Sequence, residues 1–489
     1  MAFVVPSLNP EQWKFANGIL WLTPKKNFSA PNPRAAPPPS FPAFAPLNVS
    51  SPSSSSSDPP KSDHVALPMM FGRLLFQTPP SLPLTTPKWQ FTGAVREHQV
   101  PILNEARKWL SSHGGVLLNC YCGFGKTVSA CCLSSDYTTS RPDVVVCSLK
   151  LLPPQWIKSY QKFTTARLAV NGAKDNPLDP DVWITMIEGI PKLLDKLENG
   201  DPSTPNVGTL IIDESHLMCT ELRLKLLLLL RPHRIILLSA TPKKDDGLDI
   251  ILDLLAGPGK VVAVNPNPFQ VFAAQTGVSP EYKQNKMGKV DYTAMTNWLS
   301  EQPSRDLLAL EWVIKNPRCR IAILTNRVAH AERLAKLFRE ARQSITLLCG
   351  KHKDFVPARI IIGTGSKLGT GFDAESAGSS SSHSRARTPL PIEDEGYMSD
   401  VDHEVDEYLT SQPINVMIMM YTTLHPQQMV GRAFRSAAPC IIQLLDNGVI
   451  FERHFRENCK WYSSCNGIVS YSTPRDLSIT TVDDDGFEE

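Results

Sequence analysis

The chain has 489 residues, 42% of them hydrophobic and 20% charged, with a formal net charge of +2. That length exceeds one ordinary domain and allows two or three with sizeable cores. The near-zero charge neither requires nor excludes nucleic acid, because acidic groups gathered in a few places can mask a basic groove elsewhere. Eleven cysteines, an odd number at irregular spacing, argue against a secreted disulfide framework and for a reducing compartment. No close cysteine pair is followed by a second at zinc-site spacing. The leucine-rich run from Leu222 is broken by Arg223, Lys225, Arg231 and Arg234, well short of the ~18 apolar residues of a membrane span. With no basic flank before an apolar core at the N-terminus, the expectation is a soluble, intracellular protein with no membrane partner.

The 42 prolines are concentrated near the start of the chain. From Ser29 to Ser62 the sequence is proline, serine and alanine with almost no periodic hydrophobicity, and such a segment cannot bury enough apolar surface to fold. Beyond it, short apolar runs alternate with longer helix-like stretches, the pattern of a parallel α/β sheet. Examples of the expected strands are 116–118, 144–147, 209–212, 235–238, 321–324, 360–362 and 416–420, each placed just before a motif.

The first motif is Gly123-Phe124-Gly125-Lys126-Thr127, after the apolar run Val116-Leu-Leu118 and before the helix-compatible stretch Val128 to Leu133. Strand, glycine loop and helix in that order make a phosphate cradle: backbone N–H groups and the helix N-terminus face the anion, Lys126 reaches the β/γ-phosphates and Thr127 ligates Mg²⁺. Cys120 stands where the full pattern has its leading glycine. Downstream, the apolar strand Leu210-Ile-Ile ends in Asp213-Glu214-Ser215-His216. Two adjacent carboxylates at the carboxyl end of a sheet strand suit phosphoryl chemistry, with Asp213 holding Mg²⁺ and Glu214 polarising the attacking water.

The next strand ends in Ser239-Ala-Thr241, whose short hydroxyls can bridge the carboxylates to a neighbouring segment. Ile360-Ile-Ile-Gly-Thr-Gly leads into Gly371-Phe-Asp373. Gln428-Met-Val-Gly-Arg432-Ala-Phe-Arg435 then places two arginines three apart, on one face if helical, suited to neutralise charge on a transferring phosphoryl group. Between them, 376–412 combines a serine-rich run with eight carboxylates from Glu393 to Glu407 and is expected to be a solvated, disordered insertion. Ser399, beside Asp400 and Asp402, is an acidic-context phosphorylation candidate. Residues 483–489 form a short acidic tail.

In order, these segments resemble the motifs of the superfamily 2 helicases of DEAH/DEAD type. Arg96-Glu-His-Gln99 resembles the adenine-reading motif, and 144–156 (VVVCSLKLLPPQW) the first DNA-contact motif. DESH resembles the DEAH/DEAD box, and SAT, 321–327, 364–373 and QMVGRAFR the remaining ones. Within the superfamily, GFGKT, DESH, Phe71-Gly72, Asp291-Tyr292 and Cys459-Lys-Trp-Tyr462 look most like the helicases of large DNA viruses related to the poxvirus transcript-release DNA helicase. Ser215 in place of the box alanine and the insertion after Asp373 depart from the pattern.

The resemblance implies an α/β fold of two tandem RecA-like parallel-sheet domains, with an ATP site in the cleft between them. A largely disordered extension (1–85) would precede the ATP-binding domain (86–258). A linker (259–305), the second domain (306–475, with 376–412 disordered) and an acidic tail (476–489) would follow. It implies ATP and Mg²⁺ as cofactors, with Thr127 and Asp213 on the metal. Lys126, Asp213, Glu214, Gln428, Arg432 and Arg435 would be catalytic, and Gln99, Gly123, Phe124, Gly125, Lys126, Thr127 and Asp373 would contact nucleotide. Ser148, Lys150, Lys243, Asn326, Arg327 and Thr364 become candidates to touch a nucleic-acid backbone, whereas Trp156, at helical spacing from Leu152 and Tyr160, fits core packing. The polymer would be DNA, on subfamily resemblance, and the disordered segments could recruit transcription or replication proteins. Two rivals stay open: an RNA helicase of the same architecture, and a hydrolysis-weak scaffold.

Overall fold

The computed structural model describes residues 2–6, 8, 10–24, 40–47, 64–80, 86–150, 152–197, 204–244, 246–282, 284, 290–350, 356–368, 409–410, 412–423, 426–431, 433, 436 and 439–472. The chain divides into two compact units, Met1–Ala263 and Val264–Glu489. Among the described residues no helix is long and apolar enough to cross a membrane, and all eleven cysteines are free thiols.

The first unit opens with short strands β1 (Ala2–Pro6), β2 (Trp21–Leu22), β3 (Phe41–Pro42), β4 (Ala45–Leu47) and β5 (His64–Pro68). Its main sheet follows: β6 (Gly115–Cys120), β7 (Asp143–Cys147), β8 (Leu168–Val170), β9 (Val182–Met186), β10 (Val207–Ile212), β11 (Pro232–Ser239) and β12 (Lys260–Ala263). The order is β12-β6-β11-β10-β7-β9-β8, all parallel. Aliphatic and β-branched runs suit strands covered on both faces, and successive residues feed opposite cores. Val144, Val146, Leu210, Ile212, Ile235 and Leu237 belong to one core, and Val145, Cys147, Ile211, Ile236 and Leu238 to the other. The second core is closed by helices Val100–Ser112, Lys126–Ser135 and Leu152–Phe163.

The second unit repeats the plan with β13 (Phe269–Gln275), β14 (Ile321–Thr325), β15 (Ile345–Leu348), β16 (Ile360–Thr364), β17 (Val416–Met419), β18 (Cys440–Leu445) and β19 (Gly467–Ser472). Their order is β15-β16-β14-β17-β18-β13-β19, again wholly parallel. The two-sheet architecture expected from the sequence is therefore present, and each of the seven expected strands lies on an observed one, 416–420 overrunning β17 by one residue.

Three boundaries need correction. The extension 1–85 is not largely disordered: β1, β5 and β4 form an antiparallel sheet. Leu8, Ala16, Leu20, Phe41, Phe44, Val65 and Met69 to Phe71 are buried in the same core as Leu252 and Leu255. Helix Met69–Phe76 packs on helix Ile250–Ala256. From it Arg73 donates to the carbonyls of His113 (3.0 Å) and His233 (2.8 Å), bracing the amino-terminal side of the sheet. The stretch 259–305 is not an irregular linker either, since β12 completes one sheet and β13 lies within the other; β12 escaped notice because it is a short edge strand with an alternating pattern. Finally, the insertion does not extend to residue 412: Leu409 is buried, and the Gln412 carbonyl accepts from the buried guanidinium of Arg320. The remaining insertion residues through Tyr408, Ser399 among them, the greater part of 29–62, and the acidic tail lie outside the described residues.

In the second unit a buried ion pair ties helix Pro303–Lys315 to the end of β18. Arg305 Nε lies 2.9 Å from Asp446 Oδ1, both side chains 1% exposed, and its other nitrogens donate to the Leu299 and Met420 carbonyls. Removing one partner strands a buried charge. Arg305→Ala is expected to cost about 3–5 kcal/mol in chemical denaturation, and a loss below about 1 kcal/mol would show that water compensates Asp446.

Candidate nucleotide site

The carboxyl ends of β6, β11, β10 and β7 are neighbours in the first sheet, so the loops that follow them converge although they are far apart in sequence. After β6 the chain turns through Gly123 (φ +90°) and Gly125 (φ +93°) and starts helix Lys126–Ser135. Both glycines take left-handed conformations that a side chain would strain, and a Cβ on Gly125 would also come within 2.6 Å of Gln99 Nε2. The helix N-terminus therefore opens directly from a glycine loop. Phe124 is buried in the core, which anchors the loop from beneath.

Gln99 is 2% exposed, and its amide is committed to this loop. Nε2 faces the carbonyls of Phe124 (3.1 Å) and Gly125 (3.3 Å) and Ser129 Oγ (3.2 Å), while Oε1 accepts from the Arg96 N–H at 2.8 Å. The structure thus places Gln99 as a brace on the glycine loop. Lys126 Nζ donates to the Cys120 and Tyr121 carbonyls at 2.9 and 3.1 Å, holding the ammonium over the loop entrance.

Asp213 leaves the end of β10 with its side chain almost wholly buried. Oδ1 accepts from the Glu214 N–H at 2.9 Å, and Oδ2 from the indole N–H of Trp156, also at 2.9 Å. Burial, then the charge of Glu214, raises the Asp213 pKa; the Trp156 N–H, Lys126 and the Glu214 N–H oppose the rise. Glu214 has φ +47°, a left-handed conformation for a residue with a side chain. Its Oε2 is buried and accepts no hydrogen bond. His216 Nδ1 stands 3.5 Å from that oxygen and 2.9 Å from Ser239 Oγ. Burial, then the charges of Lys244 and Lys126, lowers the His216 pKa to about 4, so the imidazole is neutral at physiological pH. Ser239 Oγ also accepts from the Thr241 N–H at 3.1 Å, so the Ser-Ala-Thr segment reaches the carboxylates through His216.

Chemically this is a glycine-lined helix N-terminus, an ammonium, a hydroxyl at Thr127 and two carboxylates, one with an unused buried oxygen. Among the described residues no three of His, Cys, Asp or Glu gather to enclose a metal. The Thr127 hydroxyl and the Asp213 carboxylate are the hard oxygen donors that a Mg²⁺ ion would take, its octahedron completed by water and phosphate oxygens. The sequence reading missed Trp156 as part of this site, because its helical spacing fits a core residue and its polar atom meets an acceptor 57 residues away.

Lys150 and Lys243 are exposed, and Ser148 is buried with an unpartnered hydroxyl. In the second unit Asn326, Arg327 and Thr364 cluster at the carboxyl ends of β14 and β16. Arg327 is held by Asn297 and Thr296. Gln428 lies in the short helix Gln427–Val430, which ends before Arg432. Asp373, Arg432 and Arg435 lie outside the described residues.

Residues 92–244 match the family described as type III restriction enzyme, res subunit. The chain is 25% identical over 411 residues to 161L of Invertebrate iridescent virus 6, a helicase by name, covering 78% of this chain and 83% of that protein. It is 30% identical over 288 residues to 055L of Frog virus 3, also named a helicase, covering 58% of this chain and 65% of that one. Among solved structures it resembles a single-substitution variant of S. cerevisiae Dbp5 bound to RNA and ADP BeF3, with a TM-score of 0.50 at 12% identity, covering 77% of this chain and 90% of that one. The last likeness concerns the fold.

Gly125→Ala is expected to lose about 1–3 kcal/mol of stability from its left-handed backbone and, if the loop cradles the phosphates of ATP, to abolish an ATP-induced rise in melting temperature by displacing Gln99. An undiminished ATP-induced shift in melting temperature would show that this loop is not the phosphate cradle.

Proposed function

We propose that this chain, a helicase of the superfamily 2 type, hydrolyses ATP in response to nucleic acid and moves along a DNA strand. The observation that carries the reading is the buried, unpartnered Oε2 of Glu214 beside Asp213, on the sheet edge from which the glycine loop emerges. A general base needs a lone pair that nothing else occupies, and no hydrogen bond takes this one.

On this reading the N–H groups from Gly123 to Thr127 bind the phosphates. Lys126 leaves the carbonyls of Cys120 and Tyr121 for the β/γ-phosphates. Thr127 and Asp213 are the residues that would hold Mg²⁺, which when bound neutralises charge on the phosphate oxygens. Glu214 takes the proton of the attacking water through Oε2. Gln99 keeps the loop in register, Phe124 anchors it in the core, and Asp373 adds a nucleotide contact, while Gln428, Arg432 and Arg435 stabilise the transferring phosphoryl group. Lys150, Lys243, Asn326, Arg327 and Thr364 are assigned to strand phosphates. The choice of DNA follows the helicases of large DNA viruses that the chain resembles in sequence.

Lys126→Ala is expected to abolish hydrolysis while melting like the wild type, since this ammonium binds ligand rather than packing a core. Glu214→Gln should keep ATP affinity, lose turnover and accumulate as an ATP-bound complex clamped on the polymer. ATPase rates with single-stranded DNA, with RNA and without polymer test the reading. Stimulation by RNA alone would replace DNA by RNA, and absent turnover in the wild type would leave a scaffold.

Arg435→Ala should retain ATP binding and lose single-turnover hydrolysis by a factor on the order of 10³, with little rescue by Arg435→Lys, because an ammonium lacks the planar two-pronged donor geometry. Near-normal hydrolysis in Arg435→Ala would remove this residue from the site.

A further inference from the structure

We propose that Trp156 is a positioning residue of the nucleotide site, its indole N–H fixing the Asp213 carboxylate in the orientation that a divalent cation requires. This rests on the assignment of Asp213 as the metal-holding carboxylate.

Trp156 is completely buried on helix Leu152–Phe163, between Leu152 and Tyr160. An indole nitrogen is only a donor, and a buried one needs an acceptor. Here the acceptor is the Asp213 carboxylate at the end of β10, at 2.9 Å. The other oxygen of that carboxylate is taken by the Glu214 N–H, also at 2.9 Å. The two donors come from different elements, a helix on one face of the sheet and the turn beyond the strand, so the carboxylate cannot rotate without breaking one of them. A carboxylate offers about four acceptor positions. With one used on each oxygen, each keeps a lone pair, and those remaining directions are fixed. Mg²⁺ demands near-octahedral geometry and tolerates misplaced ligands poorly, and residues that orient a metal ligand change metal affinity by about 10–100-fold when removed.

Trp156→Phe keeps an aromatic ring in the core and deletes the donor. It is expected to raise the Mg²⁺ concentration for half-maximal ATPase activity about 10–100-fold, to lower kcat at limiting Mg²⁺, to leave the KM for ATP within about two-fold, and to be rescued by excess Mg²⁺. Mn²⁺ binding in the presence of a non-hydrolysable ATP analogue, followed by electron paramagnetic resonance, should weaken in parallel. Loss of melting temperature with unchanged Mg²⁺ and Mn²⁺ dependence would mean that Trp156 only packs the core, and would overturn the proposal. An independent measurement keeps Trp156 in place: its indole ¹⁵N–¹H resonance, identified among the nine tryptophans by its absence from Trp156→Phe, should move in Asp213→Asn. An unmoved resonance also overturns the proposal. A wild type that binds Mn²⁺ with the analogue but does not hydrolyse ATP would instead refute the proposed hydrolase, leaving the positioning role to be decided by the Mn²⁺ and resonance measurements.

Discussion

A parallel strand buried on both faces has only one way to serve chemistry, which is at its carboxyl end, where the chain leaves the apolar layers. In the first sheet β6 and β7 are consecutive in sequence but separated in space by β10 and β11. The glycine loop, the Ser-Ala-Thr segment, the carboxylate pair and the segment from Ser148 therefore emerge side by side from one edge. Every contact of the candidate site in this unit depends on that strand order, and the strand order depends on aliphatic runs that can be covered from both sides. The second unit obeys the same rule, bringing Asn326, Thr364 and Asp446 to the carboxyl ends of β14, β16 and β18.

Two carboxylates at the rim of an apolar core are electrostatically awkward, and the surrounding groups show how the fold tolerates them. Asp213 is stabilised as an anion by two N–H donors, with Lys126 contributing charge from the glycine loop. Glu214 is held differently. Its backbone adopts a left-handed turn, and His216, 3.5 Å from its Oε2, is kept uncharged by burial and by two lysines. The pair is thus asymmetric: one carboxylate is clamped and the other keeps an open oxygen. That asymmetry matches the different demands of holding a cation and of accepting a proton.

Much of this was legible in the sequence because motif and strand reinforce one another. An aliphatic run followed by GFGKT or DES identifies both a strand and its carboxyl end, and the runs chosen in that way all lie on observed strands. The strands that escaped, such as Phe269–Gln275 and Cys440–Leu445, are as apolar as the others but lead into no recognisable chemistry. The folded pieces before residue 80 were masked by composition, because short helices and strands alternate there with proline and serine runs whose bias dominates any window. Trp156 illustrates a different limit. Periodicity shows which face of a helix is buried, but the partner of a buried polar atom is a tertiary fact, and here it lies on another element.

The packing of helix Met69–Phe76 and its neighbours against helix Ile250–Ala256 has a consequence for how the protein is made. On the ribosome the early residues emerge well before the surface they cover, including Leu252 and Leu255, which is completed only after every strand of the first sheet but β12 has been translated. Until then Leu20, Phe41, Val65 and Met70 have no finished core to enter. The nascent chain must carry this apolar cluster through the synthesis of every parallel strand from β6 to β11, and exposed apolar surface of that kind is what chaperones bind and aggregation exploits. Vectorial synthesis therefore delays the locking of the segment before residue 80 until helix Ile250–Ala256 has been made, although that segment is translated well ahead of it.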